Sequence, residues 1–203
     1  MISATPNRKE LRRALRAERG ALDPVSRQQA AAALRQHLSV LEEYRTALCI
    51  AAYVAVGGEM DPAPLLADAV AAGKRVYLPR VPPERGGVLQ FFAWQPGAAL
   101  QPNRLGIPEP PEDAARISRQ ELDLVLTPLL GFDNQGHRLG MGGGYYDRSF
   151  GFLNAGARKP WLLGLGYEFQ HLQKLPAAPW DVALDGAVTE LKSYRFQPPR
   201  RPA

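Results

Sequence analysis

The chain has 203 residues, 45% of them hydrophobic, with one cysteine and a formal charge of +5, which is the size and make-up of one ordinary domain with a full core. Its longest apolar stretch, 47–56, is far below the roughly 20 residues a membrane helix needs, and the basic N-terminal segment lacks the apolar core of a secretory signal. Residues 8–19 and 191–203 each carry a net +4, which leaves 20–190 at −3; this excludes a broad nucleic-acid surface and leaves room for a local anion site near the N-terminal arm.

Residues 8–20 are expected to form a first helix, with Leu11 and Leu15 on one side and arginines elsewhere. Asp23-Pro24 supplies a cap and a first-turn proline for a second helix reaching about Leu41. On it Ala30, Ala33, Leu34, His37, Leu38 and Leu41 follow helical spacing, so His37 reads as a core residue. Residues 48–56 read as a strand buried on both faces, ended by Gly57-Gly58. Cys49 lies within it, and an inert buried thiol is expected there. Asp61-Pro62 repeats the cap signal for a helix through Leu65, Leu66, Ala69 and Val70, stopped by Gly73.

Further strands are predicted over 75–81, 88–94 and 122–130. The alternation of strand and helix favours right-handed crossovers and a mainly parallel sheet with helices on both faces. In such sheets ligands bind at the carboxyl ends of the strands, so the end of the 122–130 segment is the place to look. The proline-rich, basic segment 191–203 has little to bury and reads as a solvated, disordered tail after a single domain over 1–190.

The 122–130 segment leads into Gly131-Phe132-Asp133-Asn134-Gln135-Gly136-His137-Arg138-Leu139-Gly140-Met141-Gly142-Gly143-Gly144-Tyr145-Tyr146-Asp147-Arg148, with five glycines between 136 and 144. Glycine lets successive main-chain N–H groups turn toward one point and lets a phosphate approach the backbone. A helix opening near Tyr145 would add its N-terminal dipole, and Arg138 and Arg148 could add charge. The loop lacks the Gly-Lys-Ser/Thr ending of a P-loop and the spacing of a dinucleotide fingerprint. Glycine content alone leaves a phosphate cradle and an ordinary surface loop equally open.

Leu126-Thr127-Pro128-Leu129-Leu130-Gly131-Phe132-Asp133, followed by Gly136-x-Arg138-Leu139-Gly140-x-Gly142-x-Gly144-Tyr145-Tyr146-Asp147, resembles the signature of 5-formyltetrahydrofolate cyclo-ligases. Arg8-Lys9-Glu10-Leu11-Arg12 is similar to that family's ATP-contacting opening. Tyr53-Val54-Ala55-Val56-Gly57-Gly58-Glu59-Met60-Asp61 is similar to its folate-contacting strand and turn. Gly73-Lys74-Arg75-Val76-Tyr77-Leu78-Pro79, Ile107-Pro108-Glu109-Pro110 and Trp180-Asp181-Val182 match later landmarks in order. The resemblance implies a three-layer, Rossmann-like α/β domain. It also implies an enzyme that uses ATP and Mg²⁺ to turn 5-formyltetrahydrofolate into 5,10-methenyltetrahydrofolate. The chain is expected to work as a cytoplasmic monomer on two small molecules, a reduced folate and ATP, with no nucleic-acid or membrane partner.

Carried over by position, the resemblance places ATP on Arg8, Lys9 and Arg12 and on Arg138, Leu139, Gly140, Met141, Gly142, Gly143, Gly144, Tyr145 and Tyr146. It gives Arg138 and Tyr145 catalytic roles, puts the folate on Val54, Glu59 and Tyr145, and gives the metal to Asp147 and Asp181. Asp147 also suits a first-turn helix charge, and Asp181 a turn cap. Many family members carry lysine where Gly143 stands, and some carry tryptophan where Leu105 stands. The three histidines, His37, His137 and His171, have no metal-ligand spacing. A different enzyme on a similar scaffold, such as a sugar-phosphate isomerase or acyl-CoA transferase, and an RNA-binding module using the basic arm are the competing readings.

Overall fold

The computed structural model describes residues 7–84 and 86–197; the first six residues, Arg85 and the last six lie outside it, so the start of the N-terminal segment and the last six residues of the expected tail are not described. Helix α1 (Arg8–Ala21) opens on a capping box, in which the Asn7 side chain accepts from Lys9 N and Glu10 N while Glu10 takes the Asn7 N–H. Helix α2 (Pro24–Ser39) is capped by Asp23 through the N–H groups of Val25 and Ser26. Both caps satisfy donors that a helix start leaves unpaired, which is why the two helices begin where they do. A short α3 (Glu42–Thr46), β1 (Cys49–Ala51), α4 (Ala63–Ala71) and β2 (Arg75–Arg80) follow.

The second half is richer in short strands. After β2 come β3 (Gln90–Trp94), β4 (Gln101–Pro102), β5 (Pro108–Glu109), β6 (Arg116–Ile117), β7 (Leu124–Pro128), β8 (Gly131–Asp133) and β9 (Arg138–Leu139). Helix α5 (Tyr145–Phe150), β10 (Trp161–Leu165), β11 (His171–Leu172), β12 (Gly186–Val188) and β13 (Ser193–Arg195) complete the order. The main sheet runs β13-β12-β10-β7-β1-β2-β3-β6. Its five central strands, β12, β10, β7, β1 and β2, are parallel, and the edges β13, β3 and β6 are antiparallel.

Alternate residues of the central strands enter opposite layers. Ile50, Val76, Leu78, Leu124, Leu126, Leu163, Leu165 and Val188 pack against α2 and α4 through Leu34, Leu38, Leu65, Leu66 and Ala69. Ala51, Tyr77, Val125, Leu162 and Ala187 face the other way, against Phe150 and Leu153 of α5 and the turn after it. The fold is thus the expected α/β sandwich with a mainly parallel sheet. Its second helical layer is thin, because α5 is only 6 residues long. Among the described residues no helix is long and apolar enough to cross a membrane.

Four expectations change. The strand expected over 48–56 pairs only as β1, because its register with β7 and β2 ends at Ala51; after the Ala52 N–H bond to Tyr77 O the chain runs on through half-buried Val54 to Val56 without strand pairing. The strand at 88–94 returns antiparallel to β2, since no helix stands between them and a parallel return needs a crossover of a dozen or more residues. The segment 191–203 is not all tail. Residues 193–195 form β13 against β12 and Phe196 is buried in the core, so the fold reaches at least the end of the described chain. His37, expected in the core, is half-buried between the buried Leu34 and Leu38.

Candidate active site

Strand β1 is the point where the parallel sheet changes direction: the chain leaves it through α4 to β2 on one side, and reaches β7 on its other side. The carboxyl ends of β1 and β7 therefore diverge and open a crevice. The 52–60 segment leaves one lip and the 129–148 segment the other. Helix α1 lies across them, its Leu15 packed with Leu130, Leu139 and Leu175.

The glycine segment is held by few side chains. Buried Asp133 accepts from the N–H groups of Gln135, His137 and Leu175 and faces His137 Nδ1 at 2.9 Å, which fixes the turn into β9. His137 is therefore a structural partner of Asp133. Leu139 is also core, so only its backbone can serve a ligand. Gly140 to Gly144 then form the exposed or half-exposed turn into α5, with Gly142 at φ 103° and Gly144 at φ 64°. Neither conformation suits a side chain. Because α5 is short, its dipole is weak and the turn's own amides must supply most of the attraction for an anion.

Arg138 is 8% exposed. Its Nη2 donates to Asp147 Oδ1 at 2.8 Å, and its guanidinium lies 5.2 Å from the Tyr146 ring centre. Its Nη1 is buried with no hydrogen-bond partner among the described residues. A buried unsatisfied donor costs about 1–3 kcal/mol, so this nitrogen favours an incoming oxygen. Tyr146 is held protonated by burial, against the opposing pull of Arg138. Tyr145 accepts at its hydroxyl from Arg104 Nη2 at 3.3 Å, and Arg148 lies over its ring at 5.1 Å. Arg148, expected at the loop, also reaches across to donate to Gly87 O.

The N-terminal arm meets this segment directly. Arg12 Nε donates to Gly140 O at 2.9 Å. Arg8 Nη1 pairs with Asp181 Oδ2 at 3.0 Å, and Arg8 Nε is buried without a partner among the described residues. Burial, then its neighbour Arg8, lowers the proton affinity of Arg12, and Asp181 opposes them. Lys9 does not join; it is exposed, and the hydrogen bond it makes is the backbone one to the Asn7 cap.

The two expected metal carboxylates are both engaged by arginine. Asp147 Oδ1 takes Arg138 and the Val182 N–H; Asp181 Oδ2 takes Arg8 and the Ala178 N–H. In each, the second oxygen accepts no hydrogen bond among the described residues. The described residues hold no cluster of three or more metal-ligating side chains.

On the other lip, Glu59 folds back so that its Oε2 accepts the Val56 N–H at 3.2 Å. Burial raises its carboxyl above the ordinary value, against that N–H and Arg19. It also lies within electrostatic range of Tyr146 on the other lip. Val54 is half-buried and packs on the core. Leu105 is 55% exposed. Two surface clefts, of about 310 and 380 Å³, lie beside α2 and beside β6, and neither includes a glycine-segment residue.

Two residues of this arrangement were not singled out in the sequence, Arg19 and Arg104. Arg19 carried a signal: it stands four residues beyond Leu15 and eight beyond Leu11, on the helix's buried stripe, where a charge needs a reason.

The sequence model of the 5-formyltetrahydrofolate cyclo-ligase family matches residues 4–190. A 5-formyltetrahydrofolate cyclo-ligase of Escherichia coli strain K12 is 35% identical over 183 residues, 90% of this chain and 100% of the relative. That of Haemophilus influenzae is 36% identical over 182 residues, 89% of this chain and 96% of the relative. Among solved structures, the 5,10-methenyltetrahydrofolate synthetase of Aquifex aeolicus superposes with a TM-score of 0.79 at 30% identity, covering 94% of this chain and 93% of that one. With a match over nearly all its length, a glycine turn faced by arginines and a buried acid on the opposite lip, this chain belongs to the 5-formyltetrahydrofolate cyclo-ligase family.

Proposed function

We propose that the protein converts 5-formyltetrahydrofolate to 5,10-methenyltetrahydrofolate, consuming ATP and releasing ADP and phosphate. The observation that carries this reading is Arg138: a buried guanidinium with one nitrogen unsatisfied, at the mouth of a glycine turn. A formyl oxygen is a poor leaving group. Once it attacks the terminal phosphoryl group of ATP and displaces ADP, it leaves easily as phosphate when N10 attacks the formyl carbon and gives up its proton. Such chemistry asks the protein for position and charge neutralisation more than for covalent help.

Main-chain amides of 140–144 and Arg12 hold the nucleotide's phosphates, and Arg138 meets the oxygen passing from the formyl group to phosphate. Tyr145, bracketed by Arg104 and Arg148, stands where the nucleotide and the folate meet. Glu59 accepts N–H donors of the pterin, which requires its carboxylate to stay ionised despite burial. Magnesium, when bound, neutralises phosphate charge. The second oxygens of Asp147 and Asp181 fit it, since this hard cation uses one or two carboxylates beside substrate phosphates.

The test is direct. Protein, ATP, Mg²⁺ and 5-formyltetrahydrofolate are mixed and the methenyl product is followed by its near-ultraviolet absorbance, with ADP measured in parallel. ATP-dependent product in step with ADP is expected; absence of product from folded protein would end the proposal.

A further inference from the structure

Arg19 is the largest fully buried side chain among the described residues, at 2% exposure, and it lies outside every family motif quoted above. An isolated guanidinium is not left in a core without partners. Arg19 Nε donates to Gly57 O at 3.2 Å and its Nη1 to Leu129 O at 3.5 Å, and Nη1 stands 3.7 Å from Glu59 Oε1. One planar fork thus touches the loop leaving β1, the loop leaving β7 and the acid between them. Gly57 and Gly58 permit the approach: a Cβ on Gly58 would stand 3.1 Å from Arg19 O, and Gly57 has φ 57°. Tyr167 secures the same turn from the far side, its hydroxyl donating to Gly58 O at 3.2 Å.

We infer that Arg19 is a positioning residue for the folate: it ties the two lips of the crevice to α1 and keeps Glu59 aimed and charged for the pterin. The inference rests on the proposed function. The same helix holds Gly140 through Arg12 and Asp181 through Arg8, so α1 bears on both substrates, with Arg19 as its folate end. The Val56 N–H in its own turn and Arg19 from α1 stand against Glu59, while Tyr53 from the segment after β1 and Tyr146 from α5 lie within electrostatic range of it. Both tyrosines are kept neutral by burial, so Arg19 is the charge among them.

The experiment compares wild type with Arg19→Met and Arg19→Lys, each checked by melting and circular dichroism. Losing a hydrogen-bonded charge should raise KM for 5-formyltetrahydrofolate roughly tenfold or more while KM for ATP moves less than about threefold. The acidic limb of kcat/KM for the folate should move to higher pH in Arg19→Met, because Glu59 loses the cation that favours its ionised form. Arg19→Lys should restore the limb but only part of the KM, since an ammonium lacks the planar fork. Titration of the Glu59 carboxyl by ¹³C NMR, assigned with Glu59→Gln, reads the same upward shift without turnover. Where Arg19→Met does not fold, Arg19→Gln takes its place. A folded variant with unchanged folate KM and an unmoved limb overturns the inference while wild-type turnover leaves the parent reading standing. A wild type that makes no methenyl product overturns both.

Discussion

Arg138 Nη2 donates to Asp147 Oδ1 at 2.8 Å across one turn of chain, and that same oxygen also accepts the N–H of Val182, which follows Asp181. The cation at the centre of the site and the two acids flanking it therefore form one connected unit. Replacing Arg138 by Ala should lower kcat by about 10²–10³-fold, the loss usual when a donor to developing charge is removed. Arg138→Lys should recover little, because stacking on Tyr146 and the bond to Asp147 use the planar group. Steady-state turnover of folded variants checks this, and a wild-type kcat would remove Arg138 from the chemistry.

In the proposed reaction Arg12 serves the nucleotide alone. Its Nε orders the Gly140 carbonyl, which sets the direction of the amides that follow. Arg12→Ala should raise KM for ATP about ten- to a hundredfold, equivalent to a charged hydrogen bond of about 1.5–3 kcal/mol. KM for the folate should hardly change. Initial rates against each substrate separate the two effects.

Asp147→Asn and Asp181→Asn should each raise the Mg²⁺ concentration for half-maximal rate by about tenfold or more. A chelator should abolish turnover, and added Mg²⁺ should restore it. Rates measured against free Mg²⁺ at saturating ATP give the answer; an unchanged requirement in one variant would clear that carboxylate of the role.

Gly136 is a stability position. It has φ 79°, and a Cβ there would lie 2.7 Å from Leu184 O, a backbone atom that cannot swing aside. Gly136→Ala should cost about 1–3 kcal/mol, which lowers Tm by about 2–4 °C per kcal/mol in a chain of this size. Calorimetry of the folded variant measures it.

Asp123 gives a pH signature away from the site. Partial burial would raise its carboxyl, but the N–H groups of Cys49 and Leu48 and the Lys159 ammonium outweigh that and hold it below its ordinary value. A depressed acid stabilises the fold above its unfolded-state pKa and loses that contribution as pH falls through the folded one. The Tm gap between wild type and Asp123→Asn should therefore be full at neutral pH and close below about pH 4. Melting curves across that range test the sign, and a gap that widens on acidification would refute it.

Much of the first half was legible because local rules and tertiary fold agree there. Asp23-Pro24 and the spacing of Leu34 and Leu38 define α2, and Gly73 ends the α4 segment. The second half resists such reading. Strand β10 carries Gly164 because a Cβ there would meet Leu129 and Leu184 at 2.6 and 2.7 Å, so its weak strand pattern records a close contact. Strand β13 looked like solvated chain because its residues Ser193, Tyr194 and Arg195 are half-exposed or exposed at a sheet edge. At the site, the glycine turn and the arm arginines lay within quotable motifs. Arg19 and Arg104 did not, since their roles depend on a loop 38 positions away and a helix start 41 positions away.

Helix α1 presents Arg8, Arg12 and Arg19 to three separate partners, while Arg13, Ala14 and Ala17 are exposed between them. The helix therefore behaves as a ruler whose graduations must keep their angular phase. Inserting or deleting one residue within it would turn everything beyond by about 100°, sending one guanidinium into water and a small side chain into the crevice. Drift in length is thus forbidden along this segment even where drift in composition is free.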